Sequence, residues 1–371
     1  MKRRGLLQAL VAPALVAPHL ARAAAPVGLT DILGRRVSLA RPARRIILLQ
    51  ARHILAVALL HPDPVSLLVG WGDDLRRMNP PDYAAVRARF PQAEAIPVIG
   101  RGLATGFLIE SIMQSRPDLV VFSRALLRLL GDGMADQLAA FGIPSVVIDF
   151  FEDPMANTRP SMAVLGQALG APERAAQFDS FYAGQLDAIS ARLQGLPTAR
   201  PKVLIHAHAG GTPCCASPGQ GAFNTMIRFA GGHNIGADLL PGATGDLSLE
   251  HVITQDPRIY VATGGPYAGR GGISLGAGVT AEGALREFAD VIRRDHLESL
   301  SAIRQGRAHA IWHGFNDTPA HVLMLQALAR WFHPERCGDL DPAATMAALN
   351  DRFLSIPMQG THWVDLPAGA L

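Results

Sequence analysis

The stretch Ile109 to Ser123 (IESIMQSRPDLVVFS) recurs in degenerate form as Leu249 to Thr263 (LEHVITQDPRIYVAT), with Glu110 aligned to Glu250, Pro117 to Pro257 and Val121 to Val261. Each copy reads as an acidic residue opening a short helix, a proline that ends it, and an apolar strand. An acid in the first turn is favoured by the helix dipole in any protein, and proline is a common stop. The shared order and spacing of all three features points to two similar α/β lobes, each carrying an equivalent carboxylate. Such a molecule grips or closes on a ligand symmetrically, unlike one built around a cleft within a single domain.

The same rhythm runs through the rest of the chain. Short apolar strands at Ile46–Leu49, Ser66–Val69, Leu119–Phe122 and Val146–Ile148, then Val203–Ile205, Ile259–Val261 and Ala308–Trp312, alternate with helical patterns. That alternation is the signature of parallel sheets covered by helices. Between the two groups, Pro172–Leu193 places Ala175, Phe178, Tyr182, Leu186, Ile189 and Leu193 three or four residues apart. Pro172 suits a first helical position, Glu173 the positive end and Gly195 a stop. At about 1.5 Å rise per residue this helix is long enough to run along both lobes. The expected fold is therefore α/β: two lobes, each with a central, mostly parallel sheet flanked by helices, joined by one long α-helix. The expected division is a leader over residues 1–23, an N-terminal lobe over 24–155, a linker region with the connecting helix over 156–195, and a C-terminal lobe over 196–371.

With 371 residues, 49% hydrophobic and 18% charged, the chain suits two domains with ordinary cores. Its start, MKRRGLLQALVAPALVAPHLARA, has a basic n-region, an apolar run from Gly5 to Leu20, and small residues at Ala21 and Ala23 that fit an export cleavage site. A membrane anchor needs about twenty apolar residues. This run is shorter and is broken by Pro13, Pro18 and His19. Arg3-Arg4 fits the general and the twin-arginine export routes alike. Removing residues 1–23 takes away Lys2, Arg3, Arg4 and Arg22, leaving 30 basic against 31 acidic side chains. The exported chain is near neutral, which removes the electrostatic case for nucleic acid or an anionic membrane. The first cysteine is Cys214, so a lipid anchor near the cleavage point is not expected.

In open α/β sheets, ligands gather beyond the carboxyl ends of strands. The segments there are rich in polar and aromatic groups: Gln50, Arg52 and His53; Trp71 and Asp73; Arg101 and Arg124; then His206, His208, Cys214 and Cys215; Tyr267 and Arg270; and Trp312, His313, Phe315 and Asn316. Arginines with planar donors and aromatic walls suit a large anionic or chelated ligand. His206 and His208 alternate along a strand, a geometry compatible with one shared ion, but no third ligand of recognised spacing follows. Disulfide geometry strains a vicinal pair, so Cys214 and Cys215 are not expected to join each other. Either one pairs with Cys337, leaving an odd thiol, or the pair sits in the cleft against the cargo. The glycines around Gly264 and Gly271 lack phosphate-loop and dinucleotide spacings, and no nucleophile elbow or zinc-protease motif occurs. No resident metal or catalytic residue is assigned.

The segments DILGRRVSLARPARRIILL (31–49), FGIPSVVID (141–149), LGQALGAPERAAQF (165–178), RFAGGHNIGAD (228–238), LSLEHVITQDPRIYVATGG (247–265), WHGFNDTP (312–319) and LARWFHPERCGDLDP (328–342) lie alongside the repeat. In this order, the chain resembles the periplasmic substrate-binding proteins of ABC importers for iron-siderophores, haem and cobalamin. The resemblance implies two lobes joined by one long helix and a small closure on binding. It also implies that Glu110 and Glu250 dock into arginine pockets on the two permease subunits. Arg52, Trp71, Arg101, Arg124, Tyr267, Arg270, His313, Phe315 and Asn316 match loops that line the family's cleft. The Cys214-Cys215 pair and His206-x-His208 stand outside the general pattern and count against a simple hydroxamate or catecholate siderophore. The expectation is a soluble, monomeric periplasmic receptor that binds an iron chelate and passes it to an inner-membrane permease dimer. It would carry no cofactor of its own, the iron arriving within the chelate. Haem, a corrinoid or an oxyanion such as molybdate is the alternative cargo, and an enzyme or chelatase acting on a metal complex is the alternative class.

Overall fold

The computed structural model describes residues 26–100, 109–131, 133–266 and 269–371. The expected leader lies outside them. Strands β1 (Ile46–Leu48), β2 (Leu68–Trp71), β3 (Leu119–Ser123) and β4 (Ser145–Ile148) form a parallel sheet in the order β2-β1-β3-β4. Strands β5 (Lys202–His206), β6 (His233–Asn234), β7 (Ile259–Gly264), β8 (Ala308–Trp312) and β9 (Trp363–Leu366) form the second sheet, ordered β9-β8-β7-β5-β6. Only its edge strand β9 runs antiparallel. The second strand lies two residues beyond its expected place because Val65–Leu67 forms a 3-10 turn.

Successive strand residues point to opposite faces. Ile46, Leu48, Val121 and Ile148 join one apolar cluster, while Ile47, Leu49, Val120 and Phe122 pack into a smaller one on the other face. The larger cluster continues without a break into Val203, Ile205 and Val261 of the second lobe. The sequence repeat is also a backbone repeat. Arg116 and Asp256, at matching positions just before the prolines, both adopt positive φ (46° and 36°) and end their helices. The next residue after each proline donates to the neighbouring strand in the same way, Asp118 to the Arg45 carbonyl and Arg258 to that of Lys202.

The connecting helix spans Pro172–Arg192. It packs on helix Pro154–Leu169, on Ile54–Leu60 of the first lobe and on His321–Phe332 of the second. Buried Phe178, Tyr182 and Ile189 supply its inner stripe. His321 Nδ1 faces the Thr318 carbonyl at 2.9 Å and donates to it, so Nε2 accepts from the Tyr182 hydroxyl at 2.6 Å. Burial lowers the His321 pKa to about 4, which keeps the ring in the neutral form that this pairing needs.

The C-terminal chain also ties the lobes, a feature outside the expected division. Ser355 Oγ donates to the Ala58 and His61 carbonyls of the first lobe. Phe353 packs edge-on against Phe178, and Arg174 bridges the Leu59 and Phe353 carbonyls, both at 2.8 Å. Helix Pro154–Leu169 begins one residue before the expected lobe boundary at 155. Among the described residues, no helix is long and apolar enough to cross a membrane.

Replacing Tyr182 with Phe leaves the buried His321 Nε2 without its donor. Urea unfolding should show a loss of about 1–3 kcal/mol; an unchanged midpoint would mean that the strut is held by packing alone.

Candidate functional site

In the first sheet the strand order reverses between β1 and β3, and in the second between β5 and β7. Open sheets bind ligands beyond strand ends at such points. A cavity of about 670 Å³ lies there, between the lobes. Its walls draw on Arg52 after β1, His208 after β5, Gly264 at the end of β7, and Trp312 and His313 at the end of β8. Met78, Pro81 and Val86 close the first-lobe side, and Ile356, Met358 and His362 close the opposite one. The volume falls within the roughly 300–1,000 Å³ of ordinary small-molecule sites, and most of the lining is apolar.

Arg52 crosses the floor. Its Nε donates to Asp74 Oδ2 at 2.8 Å within the first lobe, and its Nη1 to Asp317 Oδ2 of the second at 2.6 Å. Burial works against the guanidinium charge, but Asp317 and Asp74 outweigh it and raise the pKa. Burial alone would push the Asp317 carboxyl up; the Arg52 charge and then His53 overcome it and hold the carboxyl below its usual value. Asp82, also in the wall, is pushed up to about 6 by burial despite the hydrogen bond from Asn79.

Three imidazoles face or flank the cavity. The His208 ring lies 3.7 Å from that of His313, and burial, then the Arg270 charge, lowers the His208 pKa to about 4. His313 is held well below its usual value by burial, His208 and Arg52. Its ring nitrogens meet Thr263 Oγ1 at 2.8 Å and Asn316 Nδ2 at 3.3 Å. Burial lowers His362 to about 4, and its Nδ1 has no hydrogen-bond partner among the described residues. At neutral pH all three are uncharged, and both ring nitrogens of His313 are already engaged, by Thr263 and Asn316.

The remaining sequence candidates fall elsewhere. Trp71 is buried in the first-lobe core against Tyr83, because β2 runs to residue 71 and carries the indole inward. Phe315 is fully buried behind Trp312, ring centroids 5.1 Å apart. Arg124 sits outside the cavity lining with its Nε 3.2 Å from Glu152, so its charge is already matched. Arg270 is exposed and is not among the residues of the cavity wall. Arg101 and Tyr267 lie outside the described residues. His206 and His208 do not share one side: the strand ends at His206, and His208 turns away with φ 48°. Cys214 and Cys215 form a disulfide with each other, correcting the expectation that a vicinal pair would not join, and Cys337 is buried and free. Neither cysteine lines the cavity. Glu110 and Glu250 are exposed in the first turns of Ile109–Ser115 and Leu249–Gln255. Met113 and Ile253, at matching positions one turn on, are also exposed (41% and 44%).

The sequence reading missed the tail residues from Ile356 to His362 and the helices that hold Met78 to Val86. The tail follows no strand directly, and Met78 to Val86 lie on helices that begin only beyond the loop after β2.

A family model described as periplasmic binding protein matches residues 57–311. The chain belongs to this family. Among solved structures, a TroA-like periplasmic binding protein, FepB from Veillonella parvula, superposes with a TM-score of 0.85 at 22% identity, covering 92% of this chain and 100% of that one. The molybdate-bound periplasmic binding protein MolA of a Haemophilus influenzae ABC transporter gives 0.64 at 15% identity, over 88% and 97%. CeuE from Helicobacter pylori, solved with Ni(II), gives 0.60 at 18% identity, over 88% and 95%. At these identities the likeness establishes the shared fold. No curated protein matches the chain. As a family member the protein is a periplasmic binding protein.

In this binding protein, Asp317 has a folded pKa below its unfolded one. Its stabilisation is complete above about pH 4 and is lost as pH falls through the folded value. Asp317→Asn should cost about 1–3 kcal/mol at pH 7 and should flatten the decline in stability on acidification. Urea midpoints at pH 7 and pH 3 measure both. Parallel declines in the variant and the wild type would remove Asp317 from the account.

Proposed function

We propose that the protein captures a bulky metal chelate with a largely apolar body in the cleft between its lobes and delivers it to the permease dimer of an inner-membrane ABC importer. It performs no reaction on the cargo, the iron or other metal arrives within the chelate, and the receptor acts as a monomer after loss of its leader near Ala23. The observation that carries this reading is the 670 Å³ cavity with its mostly apolar wall and uncharged imidazoles. A tetrahedral oxyanion needs a small site crowded with donors, which this wall does not supply. Among the described residues of the wall, Arg52 is the only arginine, and it is already paired with Asp74 and Asp317. This disfavours an anionic catecholate chelate held by cations.

A tetrapyrrole such as haem or a corrinoid is the second reading. His362 in the apolar wall favours it, since a neutral imidazole beside an apolar cavity suits either a metal axial position or a polar edge of a macrocycle.

Fluorescence titration with haem, cobalamin, a ferric hydroxamate siderophore and molybdate tests the cargo class. Trp312 lines the cleft and reports, whereas buried Trp71 does not. Saturable quenching by at least one chelate, lost in Trp312→Phe, is expected. Saturation by molybdate with all chelates silent contradicts the reading.

The repeat supports docking through Glu110 and Glu250: two equivalent anions meeting two equivalent cationic pockets set orientation and speed encounter. The variant carrying Glu110→Ala and Glu250→Ala should keep its chelate affinity and lose stimulation of the importer's ATPase. Full stimulation by that variant rejects the docking assignment.

A further inference from the structure

The fold gathers His206, Cys214 and Asp295 at a point outside the cavity lining. A His206 ring nitrogen, the Cys214 sulfur and an Asp295 carboxylate oxygen all lie within 4.8 Å of one another. His206 is fully buried at the end of β5. Its Nδ1 meets the Tyr260 hydroxyl at 2.9 Å, while Nε2 has no hydrogen-bond partner among the described residues. Buried polar atoms are nearly always paired, so an open ring nitrogen calls for an explanation. Burial, aided by Arg294 and opposed by Asp295, lowers the His206 pKa to about 4 and keeps its lone pair available. The Asp295 side chain is 8% exposed and is steadied by Arg294 Nε at 2.9 Å; outer partners of this kind orient ligating carboxylates.

Imidazole, thiolate and carboxylate together make a donor set for ions of the zinc class. Here the sulfur is tied up in the bond to Cys215. We propose that reduction of this vicinal disulfide opens a site for one thiophilic divalent cation, held by His206, Cys214 and Asp295 and separate from the cargo cleft. A dithiol reductant supplies two electrons and two protons. The sulfur–sulfur bond breaks, Cys214 and Cys215 become thiols, and the reductant leaves as its own disulfide. The cation displaces the Cys214 proton and binds the thiolate, His206 Nε2 and the Asp295 carboxylate, with a fourth position for water. In an oxidising compartment the disulfide is the resting form, so metal capture at this point depends on the redox state of the surroundings.

The test is a Co²⁺ titration of the purified protein before and after anaerobic reduction, followed through sulfur-to-cobalt charge-transfer absorption. The reduced protein should take up one equivalent and develop the band, and the oxidised protein should not. Cys215→Ser frees Cys214 permanently and should bind Co²⁺ without reductant. Asp295→Asn should bind at least tenfold more weakly, and Cys214→Ser should lose the band. Circular dichroism establishes that each variant is folded. Absence of the band in the reduced wild type overturns the proposal. So does a band that persists in Cys214→Ser, which would place the metal on other sulfurs such as Cys337.

Discussion

The arrangement depends on one shared cation. Arg52 reaches Asp74 in its own lobe and Asp317 in the other, at 2.8 and 2.6 Å. Neither carboxylate has much contact with water: their side chains are 5% and 9% exposed. Separating the lobes would give up the Arg52–Asp317 bond, a charge-assisted hydrogen bond of the stronger kind. The ion triad therefore fixes the distance between the lobes at the floor of the cleft, where the cargo would rest.

The other contacts between the lobes act in the same direction. The helix Pro172–Arg192 packs on both lobes, and the Tyr182–His321 bond anchors it to the second. Phe353 and Ser355 bring the C-terminal chain back onto the first lobe. An extended crossover can bend at a few backbone angles, but a packed helix buried along one stripe cannot bend without opening its core. The cleft is thus largely formed before any ligand arrives. Pre-organisation reduces the ordering cost of binding, and it keeps Glu110 and Glu250 at a constant separation.

Much of this was legible in the sequence. Apolar runs such as Leu119–Phe122 and Ala308–Trp312 revealed the strands, because both faces of a parallel sheet are covered and every residue of the strand is buried. The repeat around Glu110 and Glu250 and the stripe through Phe178, Tyr182 and Ile189 carried the two-lobe plan. Side-chain partners were less accessible. Arg52 reads as a free cation until Asp317, 265 residues away, is brought against it. Trp71 reads as a loop aromatic because the strand was placed two residues early. The vicinal disulfide was set aside because a bridge between neighbours in the chain is strained, yet the two sulfurs are joined. His362 and Met358 belong to a tail with no periodic pattern, so only the fold could place them in the wall.

The most direct measurement is the distance between spin labels at Gln137 on the first lobe and Asp290 on the second, both exposed helical positions, without cargo and with the chelate that saturates the Trp312 signal. The account predicts one narrow distance distribution in both states, with a mean that shifts little on binding. Two well-separated distances, an open state that the cargo pulls shut, would contradict it.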